Sequence, residues 1–502
     1  MVKTLLIYSP LTGAREAGIE SQGFPLGLGY LAAYLKKNGF EVKALDCLIE
    51  GNENKVKVSE NIYRVGLSEK EIEKRILEIK PDIIGISCLF TAYEQNVFEV
   101  AEIVKKVLPD CLVVVGGAHA SGYPESVLKN KNIDLAVIGE GEETFLEIVK
   151  KVKQGKQNFE DLKGIAFRKN GKTIINSRRE LIKNLDEIPF PLREIFPMQL
   201  YFKNQKKAYP FVMSLPVGEI VTSRGCPNDC IFCSIKTVWG KCWRGRTAKN
   251  VVDEIEFLYN TYHIREFNLT DDNVSMHKKR MIEICEEILK RKLKITWQTP
   301  NGIAIWTLDE PLLKLMKKTG YYRAKFGIES GSLKTLKYIE KPVDLKQAKE
   351  VIRICNKLGI WTASAFLIGF PDENIESINQ TIDFAVSTDL DFARFMIPQP
   401  YAGTRLKTSF EKFKLLPKGI INSSSSYKTK YNTKHFTAIE LNNFRVKAHN
   451  KFLKSRMKRY LSPTGFFKYL YPKISSIHGL RFFLMAFGQI VKDKASKRVV
   501  GN

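Results

Sequence analysis

The sequence predicts an α/β protein with two successive βα-alternating domains and a basic helical extension. Three observations predict it. Short β-branched apolar runs alternate with helix-period segments over the first 155 residues, the alternation resumes from about residue 213, and it stops near residue 405. At 502 residues the chain also exceeds what one ordinary core accommodates.

In the first stretch the apolar runs fall at 3–8, 41–45, 83–87, 111–115 and 134–138, with helical patterns near 27–38, 68–79, 94–107 and 142–154. Continuous apolar strands separated by helices read as a parallel sheet covered on both faces. Five of them make a doubly wound, flavodoxin-like (Rossmann-like) domain over residues 1–155, whose ligands sit beyond the carboxyl ends of the strands. Those ends read Ser9-Pro10, Asp46, Ser87-Cys88, Gly116-Gly117 and Gly139-Glu140-Gly141, and the small residues among them let a ligand approach the backbone. Residues 156–212 carry a hairpin signal at Asn170-Gly171 and then a linker punctuated by Pro189, Pro191 and Pro197.

Six further strands are expected at 218–223, 265–270, 294–298, 323–328, 361–368 and 391–397. Six βα units are too few to close an eight-stranded barrel, so residues 213–405 read as a partial (β/α)6 TIM-like barrel. The unusual residues all follow strands. Cys226, Cys230 and Cys233 follow the first, Asp271-Asp272 the second, Asn301-Gly302 the third, Glu329 the fourth, Gly369 the fifth and Pro398-Gln399-Pro400 the sixth. Barrel active sites are built on that rim.

Residues 406–502 show no βα alternation; Ser423 to Ser426 mark a loop and 438–460 reads helical. Of the net charge of +26, +19 lies in 404–502, where 22 Lys/Arg face 3 Asp/Glu. Leu441, Phe444, Ala448 and Phe452 recur there at helical spacing. Phe466, Phe467, Tyr469, Tyr471, Phe482, Phe483 and Phe487 follow, among Leu484, Met485, Ile490 and Val491. Two readings stand: a helical cap packed on the barrel, or a peripheral contact with an anionic membrane. Nucleic acid ranks below both, because the apolar content exceeds what stacking on bases needs. No apolar run approaches the roughly 20 residues that span a bilayer, and the start lacks a signal-peptide h-region. A cytoplasmic protein is expected, peripheral at the membrane at most.

Six of the nine cysteines (47, 88, 111, 242, 285 and 355) are isolated and read as buried thiols. The other three form Cys226-Pro-Asn-Asp-Cys230-Ile-Phe-Cys233, a C-x-x-x-C-x-x-C motif. Thiolates hold iron–sulfur clusters, and a four-iron cube takes four of them, so three leave one iron open to a ligand. The competing reading is a structural zinc site completed by Cys242 or His263, although the second C-x-x-C pair usual for such sites is missing.

Ser223-Arg224-Gly225-Cys226-Pro227, with Phe232 before the last cysteine, resembles the signature of the radical S-adenosylmethionine (SAM) superfamily. The first domain resembles the cobalamin-binding domain that precedes the barrel in one branch of that superfamily. The matching pieces are Pro25 to Leu31, Pro81 to Ser87, Gly116-Gly117-Ala118-His119 and Gly139-Glu140-Gly141-Glu142. The resemblance implies a 4Fe-4S cluster on Cys226, Cys230 and Cys233. It places SAM against Asp271, Asp272, Glu329 and Gly369, and cobalamin near Ser87, Gly116, Gly117, His119, Gly139 and Gly141. Arg244 and Arg246 also resemble a family pattern. The D-x-H-x-x-G motif that gives cobalt a histidine elsewhere is missing from the loop Ser9 to Gly27, as it commonly is in this branch.

The activity implied is a cobalamin-dependent methyl transfer to an unreactive carbon or phosphorus centre of a small or lipophilic substrate. A flavodoxin- or ferredoxin-type protein would supply electrons. The alternative is a radical cyclisation, oxidation or C–C coupling without methyl transfer. A tRNA-modifying relative is a further alternative, but it would call for three more cluster cysteines, and Cys47, Cys88 and Cys111 are dispersed.

Overall fold

Strand β1 (Thr4–Tyr8) lies between β2 (Val42–Asp46) and β3 (Ile83–Ser87), followed outward by β4 (Leu112–Gly116) and β5 (Leu135–Val137). The order 2-1-3-4-5, parallel throughout, is the flavodoxin-like arrangement. Both faces are buried: Leu5 and Ile7 join one core, Leu6 and Tyr8 the other. That explains the unbroken apolar runs, since a half-exposed strand would alternate. Helices Leu26–Lys37, Glu69–Ile79, Glu94–Val107 and Gly141–Lys153 connect the strands.

The computed structural model describes residues 2–14, 23–60, 62–209, 211–416 and 429–495. It divides into Met1–Tyr209 with Ile235–Gly240, and Pro210–Ser234 with Lys241–Asn502. The first unit therefore extends past residue 155. The hairpin β6 (Ile165–Lys169) and β7 (Lys172–Ile175) adds to the sheet edge, with Leu135 opposite Phe167. The proline-rich stretch that follows packs as well. Its helix Met198–Ala208 brings the buried Tyr201 hydroxyl to the Asp46 carboxylate, a group that burial pushes up to about 6. A small antiparallel sheet of Leu11–Ala14, Lys55–Ser59 and Ile62–Val65 was not expected, because its exposed, lysine-bearing middle strand carries no apolar pattern.

In the second unit β8 (Val217–Ile220), β9 (Glu266–Leu269), β10 (Thr296–Ile303), β11 (Tyr321–Glu329), β12 (Trp361–Leu367) and β13 (Phe392–Met396) pair in sequence order, all parallel. This is the six-stranded partial barrel. Helices Ala248–Thr261, Lys278–Lys290, Glu310–Lys318, Leu345–Lys357 and Ile375–Ser387 join the strands. Strand β10 runs through Asn301-Gly302 by means of an irregular register and φ +123° at Gly302, so those two residues end the third strand rather than follow it.

The extension packs on this barrel. Helix Ala438–Leu461 buries Leu441, Arg445, Ala448, Phe452 and Arg456. Arg456 Nη2 donates to the carbonyls of Ala385 and Val386, at 3.0 and 2.7 Å, capping the end of helix Ile375–Ser387. Lys473 is buried in an ion pair with Asp391 (2.5 Å), whose other hydrogen bonds include the Tyr460 hydroxyl. From helix Ile477–Ala495, Phe482 inserts among Tyr322, Trp361 and Phe392, at the amino ends of β11, β12 and β13. The tail's aromatics thus partly close the barrel floor. Ser423 to Ser426 and the side chains of Phe487, Ile490 and Val491 lie outside the described residues. No helix among the described residues is long and apolar enough to cross a membrane.

Candidate active site

Because β8 to β13 are parallel, residues that follow them share one rim. The cysteine loop leaves β8 through a two-residue pairing of Ser223-Arg224 with Arg244-Gly245. It is then held from several sides. Asp271 accepts from the Thr222 amide (3.1 Å), the Thr222 hydroxyl (2.7 Å) and the Ser223 hydroxyl, and Asp272 accepts from the Gly225 amide at 3.0 Å. The Ile231 amide donates to the Ile339 carbonyl and the Leu406 amide to the Ile231 carbonyl. Arg405 forms a forked pair with Glu340 and also bonds the Asp229 carbonyl.

Within the loop Cys230 is buried and Cys226 and Cys233 are half-buried. Burial pushes the Cys230 thiol up to about 11, with the nearby Lys341 ammonium pulling it down. Two amide N–H donors, from Asn228 (3.3 Å) and Asn273 (3.6 Å), point at Cys226 Sγ. Such donors stabilise the negative sulfur of a metal-bound thiolate. The donor set is three thiols on one anchored loop, which suits a cluster. A single tetrahedral zinc at ~2.3 Å would draw its sulfurs to within about 3.8 Å of one another. Among the described residues no three His, Cys, Asp or Glu side chains converge for one ion, which counts against zinc with Cys242 or His263. Cys242 is exposed, a correction to its expected burial, whereas Cys47, Cys88, Cys111, Cys285 and Cys355 are buried thiols.

Glu329 ends β11 at φ +69°, a left-handed conformation that costs a non-glycine residue about 1–3 kcal/mol and is concentrated at functional sites. Its carboxylate lies 3.5 Å from Lys341 Nζ. Burial alone lowers the Lys341 pKa, but Glu329 and the three cysteines outweigh this and raise it. Lys341 therefore stands between Glu329 and the cysteine loop. The sequence gave no sign of it; Asn273, by contrast, directly follows the Asp271-Asp272 pair.

The other expected SAM residues divide. Asp271 is 2 % exposed and engaged with Thr222 and Ser223, so it positions the cysteine loop rather than facing a ligand. Gly369, at φ +97°, gives its amide to Glu373 (2.7 Å), and a Cβ there would meet Leu441 at 2.9 Å, so the fold itself demands this glycine. Arg246 is likewise structural, bonded to Glu254 (2.6 Å) and the Val221 carbonyl.

In the first unit, Asp46, Tyr8, Ser87 and Gly116 lie in register along the carboxyl edge of the sheet. At Gly116 a Cβ would meet only Val137 (3.7 Å), and at Gly141 only Leu31 (3.9 Å). The protein's own packing thus does not explain these glycines, whereas a ligand against the edge does. Gly117 differs: its φ of +120° and ψ of −176° are open only to glycine, and a Cβ would strike the Cys88 carbonyl at 2.5 Å. Gly139 has φ +83° and donates its amide to Ser121 Oγ. His119 is buried with both ring nitrogens engaged, Nε2 with Glu94 (2.8 Å) and Nδ1 with Thr91 (3.0 Å), which leaves neither for cobalt.

Two family models match the chain, the B12 binding domain over residues 17–149 and the radical SAM superfamily over 220–385. An uncharacterised methyltransferase of Pyrococcus horikoshii is 35% identical over 81% of this chain and 82% of its own length. The chain belongs to the radical SAM enzymes that carry a cobalamin-binding domain. Cytidylyl-2-hydroxyethylphosphonate methyltransferase of Streptomyces wedmorensis is 34% identical, over 76% of this chain and 77% of its own. Anaerobic magnesium-protoporphyrin IX monomethyl ester cyclase of Rubrivivax gelatinosus is 30% identical, over 79% and 68%. Among solved structures, the radical SAM methyltransferase TsrM of Kitasatospora setae covers 99% of this chain and 100% of its own at a TM-score of 0.70. At 16% identity that likeness is one of fold. The cofactors of this radical SAM enzyme are a 4Fe-4S cluster, SAM and cobalamin. The two methyltransferases, more similar in sequence than the cyclase, support methyl transfer over cyclisation.

Proposed function

We propose that this enzyme methylates an unreactive carbon or phosphorus centre of a small or lipophilic substrate, with electrons from a flavodoxin- or ferredoxin-type partner. The observation that carries the reading is the cysteine loop fixed to the barrel rim beside the strained Glu329. When bound, the cluster and SAM supply the radical that removes a substrate hydrogen, and cobalamin carries the methyl group. The chain's own residues orient these partners. Asp271 and Asp272 hold the entry to the cysteine loop, and Arg405 with Glu340 holds its far side. Glu329 and Lys341 offer a carboxylate and an ammonium at the rim, groups of the kind that bind ribose hydroxyls and the carboxylate of an amino acid.

The test is incubation of the anaerobically reconstituted enzyme with methyl-deuterated SAM and a small-molecule cell extract. A product bearing the deuterated methyl group is expected. A product altered only by ring closure or loss of hydrogen would replace this reading with cyclisation or oxidation.

A peripheral membrane contact is a narrower second reading, favoured by exposed Leu461, Phe467, Ile477 and Leu484 on the basic extension. Truncation after residue 462 would be a poor test, because it removes Phe482 from the barrel floor. Full-length protein should instead bind anionic liposomes at low salt, and Phe467→Ser with Leu484→Ser should release it. Wild-type protein that ignores such liposomes leaves the extension as a barrel cap alone.

A further inference from the structure

The register of β10 to β13 shows what faces the barrel interior. On β11, Ala324, Phe326 and Ile328 are fully buried on one side, and Arg323, Lys325 and Gly327 take the other. Arg323 stands opposite Gln298, Lys325 opposite Ala363, Gly327 opposite Ala365, and Ala365 opposite Arg394. Paired residues in a parallel sheet share a face, so Gly327, Ala363 and Ala365 leave room among three cations. Arg394 is exposed although it stands on this inner side, which shows that the interior is open there. Below, the Arg323 guanidinium lies 5.4 Å from the Phe211 ring and 5.9 Å from Phe482, on the aromatic floor. Above, β11 ends at Glu329.

The protein provides little to balance this charge. Arg323 reaches the Gln298 amide oxygen at 3.1 Å, and its Nε is buried without a partner. Among the described residues no carboxylate lies within ion-pair distance of Arg323 or Lys325. Burial, with the charges of Arg394 and Arg323, brings the Lys325 ammonium down to about 8, against an opposing pull from Glu329. Like charges gathered in a partly desolvated space oppose folding. They are understandable where a ligand brings the opposite charge.

We infer that Arg323, Lys325 and Arg394 seat a dianionic phosphoryl group of the substrate, phosphate or phosphonate, inside the barrel. Three cations, two of them guanidinium forks, match three tetrahedral oxygens better than a single carboxylate. Anchored between the aromatic floor and the rim, such a group would leave the reacting centre toward Glu329 and the cysteine loop. The inference rests on the enzymatic reading above and names the substrate's anionic end.

The experiment titrates methylphosphonate, with acetate as the monoanionic control, into full-length cluster-bearing protein without turnover, following heat and Tm. Saturable methylphosphonate binding and a raised Tm are expected, with acetate weaker. Lys325→Met and Arg394→Leu should each weaken methylphosphonate by roughly tenfold or more, the loss of one charge-assisted contact. Unliganded Lys325→Met should be no less stable than wild type, because repulsion is relieved. Wild-type affinity in Lys325→Met, acetate binding as tightly as methylphosphonate, or a markedly lower Tm in unliganded Lys325→Met would each overturn the seat. Protein that binds methylphosphonate yet methylates nothing would sink the methyl-transfer reading and leave the seat standing. Protein that methylates its substrate but ignores methylphosphonate would do the reverse.

Discussion

Replacing Cys226, Cys230 or Cys233 by alanine, one at a time, is expected to reduce iron–sulfur absorption and 5′-deoxyadenosine formation to background. Cys242→Ala and Cys285→Ala should retain both. The difference is one of coordination: the three thiols occupy one loop fixed by Asp272, Arg405 and the Ile339 carbonyl, and each supplies a ligand that nothing nearby replaces. Cys285 is buried in a helix and bonded by the Thr319 hydroxyl, and Cys242 is exposed outside the motif. Because Cys230 is buried, its loss could also unsettle the loop, so the half-buried Cys226 and Cys233 give the cleaner variants. Iron and sulfide analysis on the same samples separates the cluster from zinc. A Cys233→Ala protein that still cleaved SAM would overturn the assignment.

The strands and helices were legible because both sheets are buried on two faces, which writes each strand as an apolar run. The first sheet's 2-1-3-4-5 order and the barrel's six strands both follow from that pattern. The boundary at residue 155 failed because a hairpin signal shows that two strands pair, not which sheet they extend; here Leu135 opposite Phe167 joins the hairpin to β5. Within the site, the cysteine motif was legible since three ligands crowd into eight residues. Asp271 and Gly369 looked like ligand contacts only because their actual partners, Thr222 and Leu441, are remote in sequence. Lys341 was illegible for the same reason, being brought to Glu329 by the turn of the chain rather than by any local pattern. The inner face of β11 was hidden too. Arg323 and Lys325 in an apolar strand read as interruptions until the register set them beside Ala363 and Arg394.

Cobalamin binding has a test of similar size. Gly116→Leu and Gly141→Leu are each expected to abolish retention of hydroxocobalamin after anaerobic reconstitution and desalting, measured by absorbance. The argument is spatial. An added Cβ meets nothing nearer than 3.7 Å at Gly116 and 3.9 Å at Gly141, so the rest of a leucine side chain extends into the space at the strand ends instead of into the core. These variants should therefore fold, with an unchanged Tm in the absence of cobalamin. Gly117→Ala supplies the contrast: its backbone conformation and the Cys88 carbonyl at 2.5 Å make it a folding lesion of about 1–3 kcal/mol or more, visible as a lower Tm whether or not cobalamin is present. His119→Ala should also lower Tm, since it leaves the buried Glu94 carboxylate without its imidazole partner. It should not remove a cobalt ligand, because both ring nitrogens are already spent on Glu94 and Thr91. If Gly116→Leu keeps its Tm and still retains hydroxocobalamin at the wild-type level, the cofactor does not lie against this edge of the sheet.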